Sequence, residues 1–299
     1  MGRVPSKSVW FLIVFSTWGL TAFTGCGGED DPQAHPPSPV TFFSGDVPRN
    51  MAHSGGKGHA PENTLYAFER ALELGAEILE TDVWSTADGE IVMLHDEEVD
   101  RTTNGSGSVK EKTLAEVKEL DAAWWFTLDD GDTYPLRGQG IRIPTLEEAF
   151  EAFPNRPFLI EIKQERPPIE QVVLSLIETY GMKRKVCLAS FHDRVMERVR
   201  KLDPDIYTSG GIWETFFFVA LPVDILAGAG LALQAFQIPE EYSGIKVLTP
   251  EFIEKARQLG IEVHVWTVNE SDDMRRLLAM GVQGIITDFP DRLKEIIEE

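Results

Sequence analysis

Short apolar segments alternate with amphipathic ones along most of the chain, and this alternation limits the fold more than any other feature of the sequence. The apolar segments are typical of strands, and they end near His53, Asp82, Lys163, Ser190, Ser209, Gln237, Thr267 and Asp288. Helical periodicity occupies residues 64–74, 145–153, 169–180, 193–201, 250–259, 272–280 and 290–297. Strand–helix alternation over this length predicts an α/β fold, a (β/α)8 TIM barrel.

A β-hairpin arm is predicted beside the second strand of this barrel. Asp88-Gly89 is a strong turn signal, and residues 91–94 form an apolar return segment. A two-residue turn at this dipeptide pairs positions 82 and 95, so we expect His95 to lie directly opposite Asp82. Glu80 is two residues before Asp82, and both side chains therefore point to one face of the strand.

Two carboxylates on one face, with an imidazole beside them, indicate metal-assisted proton-transfer chemistry. Carboxylate oxygens are ligands for hard divalent cations such as Ca²⁺ and Mg²⁺. A histidine can accept or donate a proton near neutral pH. The alternative is that Glu80 and Asp82 form the solvated face of an edge strand. The position of His95 favours a catalytic site.

Several motifs together resemble the glycerophosphodiester phosphodiesterase family. The resemblance covers roughly residues 48–296 and begins at His53. Its further parts, in order, are residues 60–64 (APENT), 80–83 (ETDV), 88–89 (DG), 95–96 (HD), 101–103 (RTT), 159–163 (LIEIK), 265–269 (VWTVN) and 285–288 (IITD).

The resemblance implies hydrolysis of glycerophosphodiesters to sn-glycerol 3-phosphate and an alcohol, within a TIM barrel whose site lies at the C-terminal strand ends. It places a divalent cation, Ca²⁺ or Mg²⁺, on Glu80, Asp82 and Glu161. His53 and His95 would act as general acid and general base, in an order that the sequence leaves open. Lys163 is suited to the phosphate, and Trp266 would form a pocket wall. His264 and His192 are interpreted as structural.

The first motif departs from the family pattern, because Ser54 follows His53 where the family has an arginine that holds a phosphate oxygen. Serine supplies neither the charge nor the two-pronged donor geometry of that arginine. Lys57 and His59 are candidates for the missing charge, and the alternative is that both are exposed loop residues. Loss of the arginine also raises the hypothesis that the chain is a non-catalytic binding protein.

The N-terminus has the pattern of a secretion signal. Arg3 and Lys7 precede an apolar run at residues 9–23, and small residues lead to Cys26. Residues 1–25 are therefore interpreted as a lipoprotein-type signal peptide, with lipid attachment to Cys26; an ordinary secretory signal is the alternative. Residues 26–45 would be a flexible linker and residues 46–299 the barrel domain. We expect an exported protein, anchored to a bacterial membrane in the periplasm or at the cell surface.

The net charge of the chain and two insertions indicate which molecules the protein can bind. A net charge of −21 repels nucleic acid, so an anionic substrate needs local positive charge, from a metal and Lys163.

Residues 124–140 are expected to form a solvated loop over the barrel mouth. The apolar stretch 212–221 is too short to span a membrane. It is predicted to be a buried barrel helix or, alternatively, an apolar lip for an acyl chain, which would favour lysophospholipids as substrates.

Overall fold

The computed structural model describes residues 41–45 and 47–299. The predicted signal peptide, Cys26 and most of the linker lie outside the described residues. The strands are β1 (Arg49–Ala52), β2 (Ile78–Ser85), β3 (Ile91–Met93), β4 (Phe158–Ile162), β5 (Val186–Ala189), β6 (Tyr207–Thr208), β7 (Ala235–Ile238), β8 (Glu241–Tyr242), β9 (Ile245–Lys246), β10 (Glu262–Val265) and β11 (Gly284–Thr287). The helices are α1 (Leu65–Glu73), α2 (Leu114–Lys118), α3 (Leu146–Ala152), α4 (Glu170–Thr179), α5 (Asp193–Leu202), α6 (Ile212–Ala220), α7 (Val223–Ala229), α8 (Pro250–Gln258), α9 (Ser271–Met280) and α10 (Pro290–Glu298).

Eight parallel strands form the barrel, which confirms the predicted fold. Their order around the barrel is β6-β5-β4-β2-β1-β11-β10-β7. The sheet closes between β6 and β7, where Ser209 bridges Ala235 and the Gly210 N–H donates to the Ala235 carbonyl at 2.9 Å. All eight strands occur where the sequence predicted them.

Side chains of β2 alternate between the barrel interior and the surrounding helices. Ile78 packs inside the barrel, in a cluster with Met51 and Phe42, whereas Leu79 and Val83 pack outward against the helix layer. Because both faces of a barrel strand are covered, an inward-facing carboxylate on β2 is removed from bulk water. This burial determines the electrostatics of the site.

The helices begin and end at residues whose chemistry favours those positions. The Thr64 hydroxyl accepts the Ala67 N–H at the start of α1, and Gly75 follows the helix with a φ of +95°. Thr145 forms a reciprocal cap with Glu148 at the start of α3. Each of these helices lies within two residues of its predicted range. No helix among residues 41–45 and 47–299 combines the length and apolarity needed to cross a membrane.

The hairpin exists, but its predicted register was wrong by one residue. Val83 pairs with Met93 and Ser85 with Ile91, so Leu94, rather than His95, lies opposite Asp82. The loop contains three residues, Ala87 to Gly89, and Gly89 adopts a φ of +91°. A three-residue loop that ends in a left-handed glycine shifts the pairing relative to a two-residue turn.

The apolar stretch 212–221 forms a helix, α6, and the expectation that it is buried was wrong. Of its residues only Phe218 is buried, whereas Trp213, Phe216 and Phe217 are 48–60% exposed. None of residues 124–140 is buried, which agrees with the predicted solvated loop, and the Asp129 carboxylate accepts hydrogen bonds from Thr127 and Thr133 of its own turn. The position of this loop over the barrel mouth stays a prediction.

Closure of the barrel at β6 depends on the absence of a side chain at position 210. A Cβ atom there would lie 2.3 Å from Cε1 of the buried Phe236, whose ring is held by Phe218 and Phe252. We expect Gly210→Ala to lower the free energy of unfolding by about 1–3 kcal/mol because of this overpacking. Denaturant unfolding measures the change.

Gly228→Ala is the matched control. Its Cβ would meet no atom within 4 Å, and its position within α7 favours alanine. This substitution should leave stability unchanged or raise it by about 0.5–1 kcal/mol. Equal effects of the two alanines would contradict the packing argument.

Candidate active site

One cavity of about 760 Å³ at the C-terminal ends of the barrel strands brings all the predicted site residues together. They come from different segments of the chain: Glu80 and Asp82 lie within β2, whereas His53, Lys163 and Trp266 directly follow β1, β4 and β10. The cavity is lined by His53, Glu80, Asp82, His95, Glu161, Lys163 and Trp266, together with apolar residues from the later strands. The structure thus gathers every residue that the sequence proposed for catalysis or binding.

Neighbouring strands β2 and β4 place an ammonium group between two carboxylates. Asp82 and Glu161 are partners in the parallel pairing, and Lys163 follows on the same face of β4. The Lys163 Nζ atom lies 3.0 Å from Asp82 Oδ1 and 2.8 Å from Glu161 Oε2. Burial alone would lower the pKa of Lys163, but these two charges hold it well above its usual value. Lys163 therefore remains a cation.

Glu80 places a carboxyl group deep in the cavity, close to the charge of Asp82. Its carboxylate is buried and accepts the Ser54 N–H at 2.5 Å. Burial and the charge of Asp82 raise the pKa of Glu80 to about 8. Burial also raises the pKa of Glu161, although Lys163 opposes the shift. Both carboxyls thus favour their protonated forms more than exposed carboxyls do.

The donor set fits a divalent cation. Glu80, Asp82 and Glu161 supply hard oxygen atoms, and the one ammonium among them leaves an excess of negative charge in a buried pocket. Among the described residues, no group of three or more His, Cys, Asp or Glu side chains is arranged as a metal site, and Lys163 pairs with both Asp82 and Glu161. The expected cation stays a prediction.

Asn63 positions Asp82, a role that the sequence reading missed. The Asn63 Nδ2 donates to Asp82 Oδ2 at 3.1 Å, and its Oδ1 accepts the Thr81 hydroxyl at 2.6 Å. Asn63 has a φ of +54°, a conformation that asparagine tolerates better than most residues. The place of Asn63 in the 60–64 motif indicated that this residue is functional. Its contact with β2 could not be predicted, because the two segments are apart in sequence.

His53 is oriented by Asp288, a role that neither its position at a strand end nor its place in the 285–288 motif predicted. The His53 Nδ1 lies 2.7 Å from Asp288 Oδ1, and Asn269 donates to the other carboxylate oxygen at 2.8 Å. Burial on its own lowers the pKa of His53, but the hydrogen bond to Asp288 and the charge of Glu80 outweigh it and raise the pKa. Burial opposes ionisation of Asp288, and its bond to His53 nevertheless holds its pKa below the usual range.

His95 has an equivalent arrangement on the other side of the cavity. Its Nδ1 lies 2.8 Å from Asp96 Oδ1, and its Nε2 lies 3.5 Å from Lys163 Nζ. Arg101 donates to Asp96 and forms two hydrogen bonds with Glu62. Each of the two histidines therefore contacts a carboxylate through Nδ1, which leaves Nε2 as the nitrogen for a substrate.

Neither candidate for the missing arginine charge reaches the main cavity. The His59 Nε2 is paired with Asp291 at 2.8 Å. Lys57 lines a smaller adjoining cavity of about 310 Å³, with its Nζ 4.0 Å from Asp288 Oδ1. Ser54 is fully buried with a φ of +48°, and its hydroxyl has no hydrogen-bond partner. The positive charge nearest to Glu161 in the main cavity is Lys163.

The remaining cavity wall is apolar and comes from the second half of the barrel. Trp266 follows β10 and packs edge-on against Phe191, with ring centroids 5.7 Å apart. Trp213 and Phe216 of α6 and Ile245 of β9 continue this wall. His264 does not contribute, because it is fully buried between Glu262 and Gln237, as the structural interpretation predicted. His192 likewise precedes α5.

Residues 53–292 match the glycerophosphoryl diester phosphodiesterase family. The chain is 36% identical to a glycerophosphodiester phosphodiesterase of Caldanaerobacter subterraneus, over 83% of this chain and 97% of the relative. It is also 25% identical to a human lysophospholipase D, over 83% and 86% of the two chains.

Two solved structures share the fold. One is a putative glycerophosphoryl diester phosphodiesterase from Silicibacter pomeroyi, with a TM-score of 0.70 and 29% identity over 85% of this chain and 94% of the other. The second is a glycerophosphodiester phosphodiesterase from Agrobacterium tumefaciens, with a TM-score of 0.70 and 27% identity over 84% and 99%. With the barrel and the gathered site residues, these similarities show that the chain belongs to the glycerophosphodiester phosphodiesterase family.

Proposed function

We propose that this protein hydrolyses glycerophosphodiesters to sn-glycerol 3-phosphate and an alcohol. The observation that carries the proposal is the pair of carboxylate-oriented histidines on opposite sides of one acidic, lysine-containing cavity. His53 lies on the Glu80 side, and His95 lies on the Lys163 side. The family membership agrees with this chemistry.

Phosphodiester hydrolysis needs one group that removes a proton from the nucleophile and another that protonates the leaving oxygen. Asp288 and Asp96 hold the two imidazoles by Nδ1, so that each Nε2 can exchange a proton with the substrate. One histidine serves as the base and the other as the acid. The nucleophile is either water or a neighbouring hydroxyl of the substrate, and the same pair serves both routes.

Glu80, Asp82 and Glu161 would hold the divalent cation, Ca²⁺ or Mg²⁺. When bound, such a cation polarises the phosphoryl oxygens and stabilises the charge that develops on them. Lys163 provides a fixed positive charge for the phosphate from the neighbouring position on β4. Trp266 supplies an apolar wall for the glycerol or alcohol group. Asn63 keeps the Asp82 carboxylate in position throughout.

The N-terminal sequence supports export and anchoring as part of the proposal. Residues 1–25 would be removed and Cys26 would carry the lipid, which holds the barrel domain at a bacterial membrane through residues 26–45. Cys187 is buried in the barrel and is not available for attachment.

Purified full-length protein with added Mg²⁺ or Ca²⁺ should release sn-glycerol 3-phosphate from glycerophosphocholine, and chelation should abolish this release. The carboxylate cluster would then be left without its cation. An enzyme-coupled assay for glycerol 3-phosphate measures the product, and adding back the cation should restore the rate. Absence of any phosphomonoester product with either cation would favour the non-catalytic binding protein instead.

Asp288→Asn should lower the pKa of His53, because the imidazolium loses the carboxylate that stabilises it while burial continues to oppose its charge. The His53 ring would then lose its proton at a lower pH than in the parent protein. Nuclear magnetic resonance titration of the labelled ring measures this shift directly. The pH–rate limb that reports His53 should move in the same direction.

Asp291→Asn is the matched control for that substitution. Asp291 pairs with His59 outside the main cavity, so its loss should leave the His53 titration unchanged. If Asp288→Asn also left the titration of His53 unchanged, the assigned contact would not be what determines the pKa of this histidine.

A second candidate substrate class is lysophospholipids, with release of the headgroup alcohol. The observation that favours it is the apolar cavity wall formed by Trp213, Phe216 and Ile245, which suits a single acyl chain better than a small polar alcohol. The human relative is named a lysophospholipase D.

Phe216→Ser should lower turnover of lysophosphatidylcholine about tenfold while changing that of glycerophosphocholine about twofold or less, because only the acylated substrate contacts the apolar wall. Product release from the two substrates in parallel assays gives the ratio. Trp125→Ser, an exposed aromatic substitution away from this wall, is the control. An equal loss on both substrates would argue against an acyl-binding wall.

A further inference from the structure

Exposed apolar side chains are concentrated around the opening of the main cavity. Trp213, Phe216 and Phe217 on α6 contact one another, with ring centroids 5.8–6.2 Å apart. Ile212, Tyr242 and Ile245 line the same opening, and all six side chains are 37–60% exposed. We call these six residues the aromatic rim. Contiguous exposed apolar surface of this kind is typical of an interaction site.

The helix that carries most of the aromatic rim presents no unpaired charge. Glu214 is the one charged residue of α6, and its carboxylate is paired with Arg200, with distances of 2.5 and 3.1 Å. Lys255 approaches the C-terminal end of α6 and donates to the Phe218 and Leu221 carbonyls. The exposed side of α6 can therefore leave water without stranding a charge.

The charge of the whole chain favours an uncharged partner over a second copy. Each copy has a net charge of −21, so that two copies brought together would repel each other. An anionic lipid surface would be repelled for the same reason. A zwitterionic lipid surface imposes no such penalty, and aromatic side chains are well suited to its interfacial region.

The length of the N-terminal segment places the domain within reach of a membrane, if Cys26 is acylated as proposed above. Residues 27–40 separate Cys26 from the first described residue, and fourteen extended residues span at most about 50 Å. Phe42 is held at the N-terminal end of the barrel, where its N–H donates to the Arg184 carbonyl. The longest barrel strand, of eight residues, rises only about 26 Å, which is less than this maximum span.

We propose that the aromatic rim is a docking surface for a zwitterionic lipid membrane. Docking places the cavity opening at the lipid surface. A single acyl chain can then enter the apolar half of the cavity without first crossing water. This inference deepens the second substrate class proposed above, although the docking itself does not require catalysis.

The test uses an environment-sensitive fluorophore attached to cysteine at two positions of the full-length chain. Phe217→Cys places it on the aromatic rim, and Val172→Cys places it on α4, at a site of similar exposure outside the rim. Phosphatidylcholine vesicles should raise the emission at position 217 severalfold and leave position 172 unchanged. Protein without an introduced cysteine gives the background emission, since Cys187 is buried and an acylated Cys26 has no free thiol.

Unchanged emission at position 217, while the protein sediments with the vesicles, would show that the anchor alone holds it and would overturn the docking surface. A shift at position 217 that depends on protein concentration without vesicles would identify a second copy as the occupant, which also overturns it. Stronger binding to anionic than to zwitterionic vesicles would contradict the charge argument.

A substitution separates docking from catalysis. Phe217 does not line the cavity, so Phe217→Ser should keep turnover of soluble glycerophosphocholine unchanged while lowering vesicle binding about tenfold. Val172→Ser is the matched control and should change neither. If the protein proved inactive on every diester, the binding result would stand by itself, because its readout does not use turnover.

Discussion

The site depends on one constraint: two adjacent barrel strands, β2 and β4, place three carboxyl groups in the cavity, of which Glu80 and Asp82 are buried and Glu161 is 14% exposed. Removing such groups from water is costly unless opposite charge or hydrogen-bond donors surround them. Lys163 pairs with Asp82 and Glu161, and the Ser54 N–H donates to Glu80. Burial and the charge of Asp82 nevertheless raise the pKa of Glu80, so that its charged form is disfavoured relative to that of an exposed carboxyl group. A divalent cation bound to these carboxyl groups would favour their charged forms.

The same asparagine arrangement occurs twice and flanks the first histidine. Asn63 binds Thr81 and Asp82 at the end of β2, and Asn269 binds Thr287 and Asp288 at the end of β11. In each case the asparagine Oδ1 accepts from the threonine, and its Nδ2 donates to the aspartate. Strand β1, which directly precedes His53, lies between these two strands. The two asparagines thus fix a candidate metal ligand on one side of His53 and its carboxylate partner on the other.

Local sequence pattern predicted the strands and the membership of the site, but tertiary contacts determined the rest. Catalytic side chains at strand ends meet in any such barrel, which is why His53, Glu80 and Glu161 could be assigned together. The roles of Asn63 and Asp288 arise from contacts between segments distant in sequence. Both residues lie in motifs of the family, but a motif does not show which side chain its residues contact. The hairpin register failed for a different reason, because Asp88-Gly89 is compatible with both two- and three-residue loops.

The register error left the position of His95 largely unaffected, because this histidine is not held by strand pairing. Strand β3 ends at Met93, and His95 is fixed by the chain of contacts through Asp96, Arg101 and Glu62.

The exposure of α6 could not be predicted from its sequence either, because an apolar segment does not reveal which neighbours will cover it. The cavity has a charged half at β1, β2 and β4 and a mostly apolar half, which α6 and the ends of β5, β7 and β10 line. A phosphodiester with an apolar substituent has the same division of charge. In the proposed function, the barrel order would therefore orient such a substrate, with the phosphate at the charged residues and the substituent directed toward α6.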